Sequence, residues 1–320
     1  MGSFSITNSK THKRKDNKMI ENREKRTAEI NTTVLGFIYS SIFGFMFMFT
    51  KLLLNNVNDE YHLIAFRNFF AFLTLTTLIK LNLLEVNYKD KPTGKLIFIN
   101  ILGLIQSTLS VKSLRYIPSS QAGIIVALSP IIVTILSTFI LNERPKTKAI
   151  FFILLSFAGV IIINLYAFKE GLGAIKGIIL MLVSVFIGSL YTIKSRKLFM
   201  DYTPVEVCYS SVILGLVFFN LVSISKHIES GILMNYFLPI SSFKSLIGFF
   251  YIGSIANGLG FLLSNYVLSK ITASKAAVFT NFITVISIIA GVIFLKESFQ
   301  LNQIIGSIII LAGVYFTQKY

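Results

Sequence analysis

Two sets of small and polar residues interrupt long apolar stretches of the chain, and both sets have the same spacing. They are Gly103, Gln106 and Ser110, and Asn257, Gly260 and Ser264. The i, i+3, i+7 spacing places each set on one face of a helix. The amide and hydroxyl groups there can bind a solute, or they can bond a closely packed neighbouring helix. Both interpretations are open. Under the first, the substrate-binding residues are Gln106, Ser110, Asn257 and Ser264.

Two cations complete the predicted substrate site. Arg67 lies inside an apolar stretch at residues 61–80, and Lys275 lies at the start of another at residues 272–294. A cation at membrane depth is costly and tends to face a protein interior or a water-filled space. We therefore predict that the two side chains stand at opposite mouths of one cavity and favour an anionic substrate. The alternatives are that Arg67 reaches the membrane surface or pairs with Glu60, and that Lys275 reaches lipid headgroups.

Groups that could catalyse a reaction or hold a metal are scarce. His12, His62 and His227 lie near a terminus or at the edges of apolar stretches, and Cys208 is the single cysteine. One cysteine cannot form an intrachain disulfide. None of the apolar stretches combines a nucleophile, a histidine and an acid. The sequence therefore predicts no enzyme, no metal site and no cofactor.

The elements that must position these residues are membrane-spanning helices. Hydrophobic residues make up 54% of the 320 residues and charged residues only 14%, whereas soluble proteins have about 25% charged residues. Backbone groups inside a bilayer must be bonded within the segment, which favours helices. The sequence predicts an all-α polytopic membrane protein with ten transmembrane helices. The predicted spans are 33–54, 61–80, 96–111, 118–141, 149–167, 177–193, 205–224, 244–267, 272–294 and 301–318. The third and sixth are short, which implies tilting or local thinning of the bilayer.

The net charge of +16 reflects membrane orientation rather than nucleic-acid binding. Lys and Arg are concentrated in residues 1–32 and in alternate loops, such as those with Lys89, Lys146 and Lys197. Positive residues in such loops usually face the cytosol. Both termini are therefore predicted to be cytosolic. Residues 1–32 are polar and predicted to be a disordered tail. No nucleic-acid partner is expected.

The chain contains an internal duplication. Residues 117–143 align without a gap with residues 271–297, and both segments end in Leu-x-Glu. The same register aligns Ala-Gly-Val at 158–160 with Ala-Gly-Val at 312–314. Five spans per repeat, an odd number, would give the halves opposite orientations in the membrane. The predicted domains are inverted five-helix repeats at 33–168 and 169–320. Glu143 and Glu297, which end corresponding spans, are predicted to be structural anchors of helix ends.

These features resemble the drug/metabolite transporter superfamily, and specifically its EamA-type members with two five-helix repeats. The resemblance lies in Ala-Phe-Arg at 65–67, in residues 119–143 with their Pro130 kink, and in the two Ala-Gly-Val sequences. It covers residues 33–318. The second repeat has Thr284 in place of Pro130, and the seventh span has no counterpart of Arg67. Members move amino acids, nucleotide sugars, organic anions or drugs, so the substrate class stays open.

The resemblance implies a transporter of a small organic solute that works by alternating access. The alternative is a multi-pass membrane receptor or scaffold that transports nothing. A channel is less favoured, because the sequence shows no selectivity-filter segment. The expected partners are a small-molecule substrate and the lipid bilayer, and a homodimer is compatible with the sequence. The sequence does not indicate which cellular membrane holds the protein.

Overall fold

A computed structural model describes residues 31–57, 59–89, 91, 93–140, 147–163, 172–231, 233–271, 273–298 and 300–319. Within these ranges the chain is helical and contains no strand, as predicted. Seven helices are long and apolar enough to cross a membrane, and the apolar segments Ile150–Gly159, Phe279–Phe294 and Leu301–Gly313 belong to three more. The predicted number of spans is confirmed for the described part of the chain.

The helices are numbered in chain order. The first half contains α1 (Asn31–Leu54), α2 (Glu60–Lys80), α3 (Thr93–Ser113), α4 (Ser119–Val126 and Ser129–Ile140) and α5 (Thr147–Ile163). The second half contains α6 (Leu172–Leu198), α7 (Pro204–Glu229), α8 (Phe243–Lys270), α9 (Ala273–Phe294) and α10 (Leu301–Lys319). A 3-10 helix, Leu233–Ile240, precedes α8.

The expectation that the third and sixth spans are short is wrong. Helix α3 has 21 residues and α6 has 27. Both helices continue past their apolar parts through charged residues, such as Lys95 in α3 and Lys194 in α6. Long cationic side chains can reach the membrane surface from such positions. The hydropathy limits therefore mark the apolar part of each helix rather than its ends.

Two spans depart from a regular α-helix near the middle of the bundle. Helix α4 is interrupted between Val126 and Ser129. Pro130 has no N–H to bond the carbonyl four residues earlier, so the predicted kink is confirmed and has its expected cause. Helix α8 contains a π-helical segment, Tyr251–Gly260. Such segments are often found at functional sites.

The helices pack in pairs that relate the two halves. Helix α2 packs against α7, α4 against α9, and α5 against α10. Helix α3 packs against α6, and α1 packs against α8 and α9 through Tyr39, Val267 and Phe279. In the register of the duplication α1 corresponds to α6 and α3 to α8, so the α3–α6 and α1–α8 contacts are equivalent. This pattern is the one expected from two repeats.

Ion pairs mark the two ends of the bundle. At one end Arg115 Nε lies 2.5 Å from a Glu60 oxygen, and Lys226 Nζ lies 2.9 Å from an Asp59 oxygen. At the other end Lys91 Nζ lies 2.6 Å from a Glu206 oxygen. Because successive spans alternate in direction, these groups lie at opposite membrane surfaces. We refer to them as the Glu60 face and the Glu206 face.

Acidic side chains also secure the ends of helices. Glu206 and Thr203 form a reciprocal capping box at the start of α7. Glu297, which follows α9, accepts hydrogen bonds from the Ser119 amide at 2.7 Å, the Ser119 hydroxyl at 2.8 Å and the Ser120 amide at 3.0 Å. Glu297 is thus a structural anchor as predicted, but it caps α4 rather than its own helix. Glu143 and residues 1–30 of the predicted tail lie outside the described residues.

The outer surface of the bundle is apolar at membrane depth. Phe151 and Leu154 in α5 and Ile308 in α10 are more than 60% exposed, at 63%, 64% and 63%. Exposed apolar area of this kind is favourable only where lipid or another protein covers it. The spans and their exposed faces define an integral, multi-pass membrane protein.

Candidate functional site

A cavity of about 290 Å³ lies in the helix bundle. Its described lining comes from α1 to α4 in the first half and α6 to α9 in the second. Carriers built from two repeats hold their solutes between the halves in this way. The size suits a small molecule.

The structure brings most of the predicted site residues together. Arg67, Gln106, Ser110, Asn257 and Ser264 all line the cavity, and so does Gly103. Gly260 lies instead against α1, where an added β-carbon would come within 3.2 Å of the Phe43 ring. Lys275 belongs to α9, but its side chain is outside the described part of the structure. Five of the six residues on the two polar helix faces therefore line the cavity, and Gly260 packs against α1.

Arg67 lies in the cavity wall with an incomplete set of partners. The residue is only 5% exposed, and its Nη2 donates to the Ser107 hydroxyl. Its Nε has no hydrogen-bond partner among the described residues. Glu60 pairs with Arg115 instead, so both alternatives for Arg67, reaching the surface and pairing with Glu60, are wrong. A buried guanidinium without a counter-ion is costly unless a ligand supplies the missing charge.

Amide side chains extend the polar wall from α2 to α8. Asn257 Nδ2 donates to Asn68 Oδ1 at 3.2 Å, and Asn68 Nδ2 donates to the Ile64 carbonyl at 2.8 Å. Nearer the Glu206 face, the Tyr191 hydroxyl donates to Asn265 Oδ1 at 3.2 Å. Asn265 is 1% exposed and its Nδ2 lacks a partner in the described structure. The amides of this wall are thus mostly bonded within the protein, and Asn265 Nδ2 is a donor without a partner among the described residues.

Several lining residues were missed by the sequence analysis. Asn68, Ser107 and Asn265 each follow a predicted site residue directly, so they lie on the next helix face and break the i, i+3, i+7 pattern. A second set, Ser184, Gly188 and Thr192, runs along α6. Its i, i+4, i+8 spacing could have indicated a third polar helix face from the sequence alone. Gly188 leaves space for Gln106, since a β-carbon there would come within 3.3 Å of the glutamine side chain.

An apolar cluster separates the cavity from the Glu60 face. Leu63 and Ile64 precede Arg67 by one turn toward that face and are fully buried. Phe219 of α7 and Phe249 of α8 belong to the same cluster and are also fully buried. The Glu60–Arg115 and Asp59–Lys226 ion pairs lie beyond it. Among the described residues, a packed apolar layer and then ion pairs therefore lie between the cavity and the Glu60 face.

The described lining offers groups that can bind a small solute. Arg67 is its only charged side chain. Within the described residues, no group of three or more metal-ligating side chains comes together. What the lining offers is one guanidinium, several amides and hydroxyls, and apolar surface. This arrangement can hold a small solute without forming a covalent bond to it.

A multi-pass helical bundle with a polar cavity between its halves defines a membrane transporter. The model of the EamA-like transporter family matches the chain twice, over residues 31–165 and 175–318. The chain therefore belongs to the EamA-like transporter family. The resemblance inferred from the repeat motifs is confirmed.

Curated relatives agree with this assignment. The uncharacterized transporter YcxC of Bacillus subtilis is 29% identical over 88% of this chain and 90% of its own. An uncharacterized transporter of Archaeoglobus fulgidus is 30% identical over 73% of this chain and 80% of its own. A protein crystal structure superposes with a TM-score of 0.64 at 17% identity, covering 89% of this chain and 96% of that one. At this identity the superposition supports the fold alone.

Proposed function

We propose that the protein carries a small organic anion across the membrane by alternating access, with the anion bound in the central cavity. The observation that carries the proposal is Arg67, a buried guanidinium whose Nε lacks a partner in a described lining that holds no acid. An anion would supply the missing charge and hydrogen bond. Arg67 would repel a cationic substrate in the same position.

Alternating access is supported by the relation between the halves. The family model matches each half, and the contact between α3 and α6 has an equivalent contact between α8 and α1. Inverted repeats at 33–168 and 169–320 could exchange conformations, closing one face while the other opens. The apolar cluster and the ion pairs toward the Glu60 face are proposed to close the pathway on that side. Lys275, near the Glu206 face, stays a predicted second cation of the pathway.

The Glu206 face is proposed to be cytosolic, with both termini on that side. The positive residues of the N-terminal segment and alternate loops motivate this orientation. Tags added to either end should be cleaved by protease only when the cytosolic side is accessible. Cleavage of one tag from each side would contradict an even number of spans.

Flux through the purified protein tests the proposed function. Proteoliposomes are offered radiolabelled lactate, succinate and benzenesulfonate as anions, with choline and glucose as cationic and neutral controls. We expect saturable uptake of at least one anion, accelerated when the same unlabelled anion is inside, because a carrier returns faster when loaded.

Three outcomes would contradict the proposal. Choline taken up in preference to every anion would reverse the charge preference. Anion flux without saturation or acceleration would indicate a channel. Anion flux no greater than in protein-free vesicles would leave the receptor or scaffold as the better account.

A further inference from the structure

We propose that the substrate is an amphipathic monocarboxylate, with its carboxylate at Arg67 and an aromatic or aliphatic body against an apolar wall, and that α-amino acids of the same shape are poorly accepted. This inference rests on the proposed anion transport and narrows its substrate class. Three features carry it: a single cation, the apolar side chains of α1 and α6, and a described lining without a carboxylate.

A single cation limits the charge that the cavity can balance. Arg67 is the only charged side chain in the described lining. One carboxylate can pair with the guanidinium and take the hydrogen bond that Nε now lacks. The second carboxylate of a dicarboxylate would be desolvated without a counter-ion among the described residues, which is unfavourable. The charge balance therefore favours a monoanion.

Helices α1 and α6 each contribute apolar side chains to the lining, which we refer to together as the apolar wall. The residues of α1 that line the cavity are Tyr39, Phe43, Met46 and Phe47, and those of α6 include Met181 and Val185. Burial of apolar ligand area against such a wall contributes about 25 cal/mol per Å². A hydrocarbon body would gain this energy, whereas a small hydrophilic anion would not.

Hydroxyl groups on α6 do not change the character of this wall. Ser184 Oγ donates to the Gln106 carbonyl at 2.9 Å, and Thr192 Oγ1 donates to the Gly188 carbonyl at 2.9 Å. Their protons are thus used within the protein. Unpaired donors lie at Arg67 Nε and Asn265 Nδ2, and Gln106, Ser110 and Ser264 add further polar side chains to the lining.

An amino acid differs from such a monocarboxylate by an ammonium group, and the described lining has no acid to pair with it. The Asn68 amide oxygen accepts from Asn257, and the Asn265 amide oxygen accepts from Tyr191. A buried ammonium near Arg67 would therefore be desolvated and repelled. Loss of the amino group should improve binding.

Calorimetric titration of the protein in lipid discs tests this order of affinity. The ligands are phenylpropionate, its neutral primary amide, phenylalanine and succinate. The amide removes the charge, phenylalanine adds an ammonium group, and succinate replaces the ring with a second carboxylate. We expect phenylpropionate to bind at least about tenfold more tightly than each of the others, equivalent to about 1.4 kcal/mol. Phenylalanine binding as tightly as phenylpropionate would overturn the inference.

A variant of the apolar wall tests where the ring binds. Phe43→Ala should weaken phenylpropionate binding several-fold and leave the affinity for propionate unchanged, because propionate has no ring to contact the wall. Phe69→Ala is the matched control, since Phe69 is 41% exposed and does not line the cavity. An equal loss of phenylpropionate affinity in both variants would show that the ring does not bind against this wall.

These measurements separate the two proposals. If succinate binds more tightly than phenylpropionate and anion flux is present, the anion carrier stands and the amphipathic class is wrong. If the protein transports choline and no anion, the carrier proposal itself fails, whatever the affinity order.

Discussion

Replacement of Gly313 with leucine is expected to prevent recovery of most of the protein in a folded, monodisperse form. Gly313 lies where α10 crosses α5. A β-carbon there would come within 2.9 Å of the Phe152 carbonyl oxygen and would overlap the Ser156 hydroxyl. A backbone oxygen cannot move without displacing its helix. Overpacking of this kind costs about 3 kcal/mol, on the order of a hundredfold in the ratio of folded to unfolded protein.

A leucine on the α5 side of the same crossing should be equally destabilising. A β-carbon at Gly159 would come within 2.8 Å of Ile310 Cγ1 and 2.9 Å of the Gly306 carbonyl oxygen. Gly159→Leu should therefore reproduce the loss seen with Gly313→Leu. Size-exclusion yield and thermal unfolding in detergent measure both variants.

Gly94 provides the matched control. It lies in the first turn of α3, and no heavy atom lies within 4 Å of the position that a β-carbon would occupy there. Leucine at this position introduces the same side chain into a helix without a crossing partner. We expect Gly94→Leu to keep its yield and unfolding temperature. A loss at Gly94 as large as at Gly313 would show that the close α5–α10 approach is not the cause.

These glycines show why the duplication could be recognised from the sequence. Both belong to an Ala-Gly-Val sequence, and each lies against the backbone of the helix that carries the other. Only glycine permits so close an approach, so the residue recurs in both halves at the same register. The spans were predictable for a similar reason, because long apolar stretches have few alternatives to membrane helices.

Other features depend on contacts between residues far apart in the chain, which no local sequence pattern predicts. Glu297 was recognised as a helix-end residue, but the helix that it caps begins at Ser119, far away in the sequence. The π-helical segment Tyr251–Gly260 has an α-helical counterpart in α3, so the duplication argued against it. Asn265 follows Ser264 and lies outside the repeated face, although its side chain reaches the cavity.

Arg67→Gln is expected to cause the largest loss of transport. The change keeps hydrogen-bonding atoms near Ser107 but removes the only charge of the described cavity lining. Loss of one member of a buried, hydrogen-bonded charge pair costs about 2–3 kcal/mol, or roughly 30- to 100-fold in KM for the anion. Arg67→Lys should give an intermediate value, because lysine retains the charge without the planar fork.

The thermal stability of the variants distinguishes a role of Arg67 in anion binding from a structural role. The Arg67 guanidinium is buried without a counter-ion among the described residues, so its removal should leave the unfolding temperature unchanged or higher. Arg115→Gln is the matched control: Arg115 pairs with Glu60 at 2.5 Å and lies outside the cavity. We expect this control to change KM for the anion by less than about twofold, since Arg115 does not line the cavity. A folded Arg67→Gln protein with the wild-type KM would show that the guanidinium does not bind the transported anion.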